Sequence, residues 1–400
     1  MSAPLSLWLK ETEVAPWGAA RSEKVDVLVV GAGLAGLATA RALIAGGRKV
    51  RVLDRGLPGH GASGRNAGFV LATHVTSYPA MRRGIGPERA RGLLALAQRN
   101  HAILAERFGA DCQHRASGSL MLGMRDDATE RAVLTEARAM LLEDGVRADW
   151  TDVPAQLRGF DVALRIEDDA EVHPAKLIAA LASGVEGATG EVLELEGDVA
   201  ILTSGARITF ETVVLATNAW TSALAPQLRV SPQRAQMLST TPAPTFLFAP
   251  CYAGFGYEYF RQREDGRVLL GGRRAQFCKS EGTTDARPTE AVQEALEQYL
   301  REHLVGAKDT RIEHRWAGTM GFSEDGLPLL GALSPRVQVI GGFTGHGLGM
   351  ALACAEVLAH ALTGAATEAD RGLLSALAPT RTPATFRGPL MPSGEREERA

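Results

Sequence analysis

Two short apolar runs near the start of the chain flank a segment of helical periodicity. Val25–Val30 is apolar and rich in β-branched residues, as in a strand that is covered on both faces. From Leu34 to about Ala45 apolar residues recur at helical spacing, and Gly46–Gly47 ends that pattern. Lys49–Asp54 is a second apolar strand pattern. The order strand, turn, helix, strand predicts a right-handed parallel unit.

The middle of the chain shows a different pattern, with longer amphipathic helices and antiparallel strands. Pro87–Phe108 and Ala128–Asp144 are predicted helices, and each is followed by a glycine. Gly256–Gly271 predicts two strands joined by a tight turn at Asp265–Gly266. A further strand is predicted at Gly118–Met124 and a further helix from Thr289 to Leu304. These elements suit an antiparallel sheet with helices, and hence a second domain.

Short buried-strand patterns return at Thr212–Ala216 and Val337–Ile340, and the second leads into a helix from Leu348. We therefore predict an α/β fold, in which a discontinuous Rossmann-like nucleotide domain is interleaved with an α+β substrate domain built on a large mixed or antiparallel sheet. The nucleotide domain is assigned residues 24–86, 160–228 and 312–376, and the substrate domain residues 87–159 and 229–311. The tail, residues 377–400, is rich in Pro, Thr, Glu and Arg and is predicted to be disordered.

Charge and cysteine usage exclude several classes of function. The 43 basic and 46 acidic side chains give a net charge of −3, without a footprint for nucleic acid or an anionic membrane. The cysteines lack the spacing of a metal site or a disulfide framework; they are Cys112, Cys251, Cys278 and Cys354. We interpret them as reduced thiols of a cytoplasmic protein, and we predict no metal site.

No targeting or membrane segment is predicted. The first 24 residues carry charges of both signs and no apolar stretch long enough for a secretory signal peptide. The most apolar helix pattern, Leu348–Leu362, is shorter than the roughly 20 residues that a bilayer requires. A buried core helix is the better interpretation.

The turn between the first strand and helix carries a dinucleotide motif. Gly31–Gly36 matches G-x-G-x-x-G, and Asp54 ends the next strand 18 residues after Gly36. The glycines allow a tight turn, close approach of a pyrophosphate, and close packing of helix and strand. The helix N-terminus attracts the phosphates, and Asp54 can accept hydrogen bonds from ribose hydroxyls. The motif does not choose between FAD and NAD; Asp54 disfavours NADP, although the neighbouring Arg55 weakens that argument. The alternative is a tight turn that binds no ligand.

Two further glycine-rich segments favour FAD. Gly56–Val70, called the glycine strip below, suits a chain that crosses a large planar ring closely; its alternative is a flexible surface loop. Gly341–Met350 precedes the helix from Leu348, whose N-terminal dipole would stabilise negative charge on a reduced ring. His346 in this segment is either a flavin contact or active-site polar group, or a histidine that satisfies groups at the helix end.

Several separated segments resemble the D-amino-acid oxidase-like family of FAD-dependent oxidoreductases. They are VVGAGLAGLATA, GASGRNAGF, EVHPAKL at Glu171–Leu177, LATNAWT at Leu215–Thr221, and GGFTGHGLGM. Within that family the chain is most similar to the gamma-glutamylputrescine oxidoreductase branch, which has a similar ASGRN segment and N-terminal lead. The resemblance spans Ser6 to about Gly364. It implies an FAD domain and a substrate domain with a large mixed sheet.

The resemblance also implies roles for individual residues. The glycine turn would contact the pyrophosphate, and Asp54 would contact the adenosine ribose. The backbone of Val192 would contact adenine, and Gly345–Met350 would cover the pyrimidine edge of the flavin. Residues of the glycine strip would line the pyrophosphate and the flavin. The full set expected to bind FAD, non-covalently, is Gly31, Gly33, Leu34, Ala35, Asp54, Arg55, Ser63, Arg65, Asn66, Ala67, Val192, Thr217, Gly345, Gly347, Leu348, Gly349 and Met350.

The chain departs from the family pattern in two respects. Members that oxidise glycine or D-amino acids have an arginine for the substrate carboxylate shortly after Trp-x-Gly, where this chain has Met320. A guanidinium has no thioether substitute, so the expected substrate moves from α-amino acids towards amines. Related sarcosine oxidases have a flavin-linked cysteine and an oxygen-activating lysine, and the equivalents here are Gly318 and Leu269. Covalent flavin is therefore not expected, and the acceptor is oxygen or another carrier.

The predicted activity is oxidation of the CH–NH bond of an amine or amino acid, by hydride transfer to flavin N5 and hydrolysis of the imine. Tyr259, His346 and Trp316 are the catalytic candidates, although Trp316 is alternatively a core residue. Tyr257, Tyr259 and Arg261 share one face of a predicted strand. This face is either an aromatic wall with an arginine for an acidic substrate end or an ordinary half-buried face. The neighbouring pair Arg273–Arg274 is interpreted as solvated surface charge.

Three other functions stay open at this point. One is a flavin dehydrogenase of a hydroxy acid or polyol, which would pass electrons to a carrier. Another is an FAD-binding protein without turnover, acting as a subunit or sensor. The last is a pyridine-nucleotide dehydrogenase, which would purify as a colourless protein.

Overall fold

The computed structural model describes residues 3–72 and 78–384, and strands are a major part of them. It forms two eight-stranded sheets and one two-stranded sheet. The strands are β1 (Glu23–Val30), β2 (Val50–Asp54), β3 (Phe69–Val70), β4 (Ser119–Met124), β5 (Ala148–Thr151), β6 (Phe160–Ile166), β7 (Ala170–Glu171), β8 (Gly187–Thr189), β9 (Val192–Glu196), β10 (Val199–Leu202), β11 (Arg207–Leu215), β12 (Ser231–Thr240), β13 (Cys251–Ala253), β14 (Glu258–Gln262), β15 (Val268–Gly271), β16 (Ile312–Phe322), β17 (Leu329–Ala332) and β18 (Val337–Gly341).

The helices predicted from the sequence are present, with bounds that differ by at most one or two residues, and shorter helices that were not predicted accompany them. They are α1 (Leu7–Glu11), α2 (Leu34–Ala45), α3 (Tyr78–Ile85), α4 (Pro87–Phe108), α5 (Ala128–Glu143), α6 (Pro174–Ala182), α7 (Thr221–Leu224), α8 (Glu290–His303), α9 (Gly347–Thr363) and α10 (Glu368–Ala376). In the described part of the chain no single helix is long and apolar enough to cross a membrane, whereas the bent pair of α9 and α10 passes by length and composition alone.

The first large sheet contains the predicted parallel unit. Six of its eight strands lie in the order β17-β18-β11-β1-β2-β8, and β1 pairs in parallel with both β2 and β11. Successive residues of β1 point to opposite faces, so Val27 and Val29 join one core cluster while Leu28 and Val30 join another. This two-sided burial explains why β1 is an unbroken apolar run. α2 and α9 pack against each other on the first of these faces.

The second large sheet is mixed, in the order β16-β12-β15-β14-β13-β4-β6-β5. The β13–β4 pair is parallel and the other pairs are antiparallel. The predicted hairpin is present as β14 and β15, and Arg263 and Arg267 close it through a backbone hydrogen bond of 2.9 Å. α8 covers one face with Leu296 and Leu300, which are fully buried. An α/β fold with a large mixed sheet is confirmed.

Strand pairing differs from the predicted domain boundaries at two places. β6 and β16 lie in segments that were assigned to the nucleotide domain, yet both pair within the second sheet. A strand's partners are set by long-range packing, which the local apolar pattern does not contain. The chain crosses between the two large sheets as often as predicted, but two of the crossings come later in the sequence, after β6 and after β16. The division into domains stays a prediction.

The predicted disordered tail begins too early. Leu377 is fully buried, and Arg381 forms an ion pair with the buried carboxylate of Asp325 at 2.6 Å. Arg381 also donates to the backbone oxygens of Leu327 and Pro328. The prediction is therefore wrong for residues 377–384, because a buried acid draws a polar segment onto the core. Residues 385–400 lie outside the described part of the chain.

Candidate active site

A cavity of about 500 Å³ lies at the carboxyl ends of β1, β2, β11 and β18, where they meet the second sheet. This is the edge at which open parallel sheets bind their ligands. One part of the cavity wall is formed by the turn after β1 and by Asp54, and another part is formed by tyrosines in and next to strands of the second sheet. The two sheets thus contribute different chemistry to one continuous space.

The turn after β1 has no room for side chains. Gly31 has a φ of +111°, and a Cβ on it would lie 2.5 Å from the backbone oxygen of Ala216. A Cβ on Gly36 would lie 1.8 Å from the backbone oxygen of Gly31, so helix and strand touch here. Gly33 is the N-cap of α2 and lines the cavity. The turn therefore presents the backbone N–H groups of α2 to the cavity, as a pyrophosphate requires.

Asp54 is fixed beside this turn by backbone donors. Its carboxylate accepts hydrogen bonds from the N–H of Ala32 at 2.7 Å and of Gly56 at 2.8 Å. Burial raises the pKa of Asp54, and these two hydrogen bonds oppose that shift. Each carboxylate oxygen keeps a further acceptor position for a ribose hydroxyl.

The glycine strip is ordered by its own polar side chains. Ser63 Oγ accepts from the N–H of Leu34 at 2.9 Å, which joins the strip to the start of α2. The Asn66 amide donates to the backbone oxygen of Ser63 at 2.7 Å and accepts from the N–H of Gly68 at 2.8 Å. The alternative of a flexible surface loop is wrong. Ser63 and Asn66 both line the cavity.

Two tryptophans support the strip from behind. Trp316 donates its indole N–H to the backbone oxygen of Arg65 at 2.9 Å, and Trp8 of α1 donates to the backbone oxygen of Asn66 at 2.7 Å. Trp316 is fully buried and does not line the cavity, whereas Arg65, Gly318 and Met320 do. The structure therefore corrects the catalytic candidacy of Trp316, because β16 turns this ring into the core.

The segment before α9 reaches the cavity with only part of its predicted residues. Gly345, His346, Gly347 and Leu348 line it, while Gly349 and Met350 do not. A Cβ on Gly349 would lie 2.3 Å from the backbone oxygen of Leu71, so this position is packed against the chain. Helical periodicity turns residues 349 and 350 away from the face that carries 347, 348 and 351. Their predicted contacts with the cofactor are corrected accordingly.

His346 is the N-cap of α9. Its Nδ1 lies 3.1 Å from the backbone oxygen of Thr344, and burial lowers its pKa to about 4. The ring is therefore neutral at neutral pH, and the contact with Thr344 assigns the proton to Nδ1. Nε2 is then a hydrogen-bond acceptor.

Three tyrosines line the cavity: Tyr252 of β13, Tyr259 of β14, and Tyr257 immediately before β14. The part of the wall that they form is called the aromatic end below. The rings of Tyr252 and Tyr259 lie 6.0 Å apart, and each contacts the ring of Phe69. The Tyr259 ring covers its cross-strand partner Gly271, where a Cβ would lie 2.3 Å from the ring. Burial raises the pKa of Tyr259 to about 12, so its hydroxyl stays protonated.

Two arginines near the tyrosines differ in whether they reach the cavity. Arg261 is buried, pairs with Glu171 at 3.0 Å, donates to the backbone oxygen of Val172, and does not line the cavity. Arg274 is only 7% exposed, and its guanidinium lies in the cavity wall over the rings of Tyr257 and Phe322, 5.1 and 4.8 Å from their centres. Of the two alternatives left open for Arg261, an arginine for an acidic substrate end is excluded, because Arg261 holds the second sheet to the strip. The interpretation of Arg274 as a solvated surface charge is corrected.

Most predicted cofactor residues meet in this wall. Those that line the cavity are Gly31, Gly33, Leu34, Ala35, Asp54, Arg55, Ser63, Arg65, Asn66, Ala67, Val192, Thr217, Gly345, Gly347 and Leu348. No local pattern pointed to Tyr252, Phe322 or Arg274. Long-range strand pairing brings Tyr252 and Phe322 to the aromatic end, and an irregular turn after β15 directs Arg274 there. Trp220 also lines the cavity without having been predicted to do so, although it belongs to the family motif LATNAWT. The guanidinium of Arg55 lies 4.1 Å from the centre of its ring.

Charge is unevenly distributed along the cavity. Among the described residues that line it, the carboxylates are Asp54 and Glu191, and Glu191 pairs with Arg55 at 3.7 Å. Both acids lie at the nucleotide end. The aromatic end contains tyrosines and Arg274, and none of the four cysteines lines the described wall. The wall therefore offers no thiol for a covalent flavin link, and the glycine turn, Asp54 and the strip fit a non-covalent FAD.

Comparison with known proteins agrees with this geometry. The model of the family FAD dependent oxidoreductase matches residues 26–361. The chain is 28% identical over 375 residues to the probable oxidoreductase OrdL of Rhizobium meliloti, covering 87% of this chain and 85% of that protein. It is 26% identical over 374 residues to the gamma-glutamylputrescine oxidoreductase of Escherichia coli, covering 86% and 85%. The crystal structure of glycine oxidase from Geobacillus kaustophilus shares the fold, with a TM-score of 0.75 and 22% identity over 90% of this chain and 100% of that one.

Proposed function

The chain belongs to the family of FAD-dependent oxidoreductases, and we propose that it oxidises the CH–NH bond of an amine or amino acid. The observation that carries the proposal is the two-ended cavity, which joins a dinucleotide turn to a tyrosine-lined end whose described wall has no carboxylate. When bound, FAD supplies the acceptor for the two electrons of the C–H bond next to nitrogen. The names of two similar proteins, a gamma-glutamylputrescine oxidoreductase and a glycine oxidase, support this class of substrate.

We assign the binding of FAD to three parts of the chain. The N-terminus of α2 would bind the pyrophosphate through its backbone N–H groups, next to Ser63. Asp54 would accept hydrogen bonds from the adenosine ribose, and Val192 would meet adenine. The N-terminus of α9 would place its positive dipole end at the ring. Each part lines the same cavity, which supports a single extended cofactor site.

The aromatic end would bind the substrate and select its neutral form. A protonated amine cannot give up hydride, because its nitrogen lone pair is occupied. The described wall at this end has no carboxylate to stabilise an ammonium ion, and the Arg274 cation opposes one. The tyrosine rings exclude water, and the Tyr259 hydroxyl remains a donor because burial raises its pKa to about 12.

Acceptor and location complete the proposal. Oxygen or another carrier would take up the electrons, and assays with oxygen and with an artificial acceptor separate these two. We place the enzyme in the cytoplasm because its four cysteines are free.

An anaerobic reduction screen tests the proposed function. The purified protein should be yellow, and the flavin absorbance should bleach with at least one member of a panel of amines, amino acids and N-methylated amino acids. Hydroxy acids and polyols form the comparison panel. Bleaching by hydroxy acids alone would overturn the proposal, and so would a flavin that no panel member reduces or a colourless protein.

A further inference from the structure

We propose that Arg274 binds a carboxylate of the substrate, so that the substrate is an amine that also carries an acidic group. The inference rests on the proposed amine oxidation and adds to it the second group that the enzyme recognises. Three observations support it: the position, the burial and the neighbours of this one side chain.

The backbone directs Arg274 inward. Gly272 has a φ of +137° and Arg273 a φ of +60°, so the chain turns sharply immediately after β15. The next two residues, Ala275 and Gln276, are exposed, while Arg274 is only 7% exposed. This is therefore a surface loop that sends one long cationic side chain down into the cavity wall.

The surroundings of the guanidinium are suited to a cation that meets an anion. It lies over the rings of Tyr257 and Phe322, both of which also line the cavity. Burial lowers the pKa of Arg274, and the nearby Tyr257, Tyr259 and Glu281 oppose that shift without cancelling it. A ligand carboxylate would restore that lost solvation and can bind the planar guanidinium through two parallel hydrogen bonds.

The other residues considered for this task do not perform it. Met320 lines the cavity but carries no charge, and its sulfur lies 3.3 Å from the position of a Cβ on Gly345. Arg261 pairs with Glu171 and lies outside the wall. Arg65 lines the wall beside the strip, and its guanidinium donates to backbone oxygens, including those of His60 and Ala317. Arg274 is the arginine at the aromatic end.

A binding experiment on the oxidised holoenzyme tests the inference without turnover. Benzoate is the anionic probe and benzamide its neutral equivalent, and both are titrated while the flavin absorption spectrum is followed. Benzoate should bind more tightly than benzamide, and Arg274→Met should weaken benzoate by roughly 10- to 100-fold while benzamide changes little. Arg274→Lys should give an intermediate affinity for benzoate, because lysine keeps the positive charge but cannot form the two parallel hydrogen bonds of a guanidinium.

The matched control is Arg207→Met. Arg207 lies at the start of β11 with a side chain that is 55% exposed and does not line the cavity, so its replacement removes the same charge outside the wall. This variant should bind benzoate like the wild type, and all variants should keep their FAD content. Failure of benzoate to bind, equal binding of the two probes, or unchanged benzoate affinity in Arg274→Met would overturn the inference.

A second experiment separates this inference from the proposed function. Anaerobic reduction is measured with pairs that differ only in the acid: alanine and alaninamide, and 4-aminobutanoate and 4-aminobutanamide. The acids should reduce the flavin at lower concentrations, and Arg274→Met should raise their half-saturating concentration more than it lowers the limiting rate. If the amides match the acids and the variant is unaffected, Arg274 is not the anchor although amine oxidation stands. If no amine reduces the flavin, the proposed function fails, and the benzoate titration still decides whether Arg274 binds an anion.

Discussion

Replacing Gly31 by alanine should damage this protein far more than the same change at Gly47. Both glycines flank α2 and both have positive φ, +111° and +80°. Around Gly47 a Cβ would have nothing within 4 Å, so Gly47→Ala should cost about 1 kcal/mol of unfolding free energy from backbone strain alone. At Gly31 the new Cβ would lie 2.5 Å from the backbone oxygen of Ala216, so the backbone must move. Backbone strain and overpacking together should lower the unfolding free energy of Gly31→Ala by about 2–6 kcal/mol.

The displaced turn should also lose FAD. The N–H of Gly31 donates to Leu53 at 2.7 Å and the N–H of Ala32 donates to Asp54 at 2.7 Å, so a shift of the turn disturbs the ribose acceptor as well. We expect FAD affinity to fall by roughly 10- to 100-fold in Gly31→Ala and to stay unchanged in Gly47→Ala. Urea unfolding of the FAD-free proteins and fluorescence titration with FAD measure the two effects. Equal losses in the two variants would refute the idea that close approach at Gly31 builds the cofactor site.

Three further outcomes are expected. Arg381→Ala should lower the unfolding free energy by about 3–5 kcal/mol, because Asp325 is then buried without its cation. Burial opposes ionisation of Asp325, but the hydrogen bonds from Arg381 outweigh it and hold the pKa below its usual range. This contribution is therefore present above the unfolded pKa and lost as pH falls, so urea unfolding of variant and wild type should converge in acid. Trp316→Phe removes the indole N–H that donates to the backbone oxygen of Arg65, so the affinity for FAD should fall while the substrate preference stays unchanged. FAD titration and the substrate panel measure these two properties. The anaerobic reduction rate should rise with pH until the bound amine is neutral, and a rate that falls from pH 7 to 9 would contradict this.

The nucleotide half of the molecule was predictable because its signals are local. The apolar run of β1, the glycine turn and Asp54, the proposed ribose acceptor, all lie within residues 25–54. The glycines of the turn are required by contacts between residues close in sequence, such as that of Gly36 with Gly31. Because the residues that make these contacts also form the motif, the pattern alone predicts this part of the cavity wall.

The aromatic end could not be predicted in the same way, because its residues meet through pairing across the second sheet. The alternation of side chains along β14 predicts that Tyr259 and Arg261 lie on one face of the strand. It does not predict which residues of that face line the cavity. Tyr259 lies over Gly271 and reaches the cavity, whereas two residues further on Arg261 reaches Glu171 and the strip. One side chain is therefore available to a ligand, and the other holds two parts of the protein together.

Arg261 and Arg274 differ in the same way, since one holds parts of the protein together and the other is available to a ligand. This difference explains why substrate specificity is harder to predict from the sequence than cofactor binding. A strand fixes its arginine by register, and a partner carboxylate on a neighbouring segment then neutralises it, as Glu171 does for Arg261. Arg274 instead follows two positive-φ residues in a loop, where no periodicity constrains the side chain. Loops after a rigid strand can change their side chains without altering the sheet that holds the cofactor. An enzyme of this architecture can therefore exchange the group that recognises its substrate while its glycine turn and tyrosine wall stay in place.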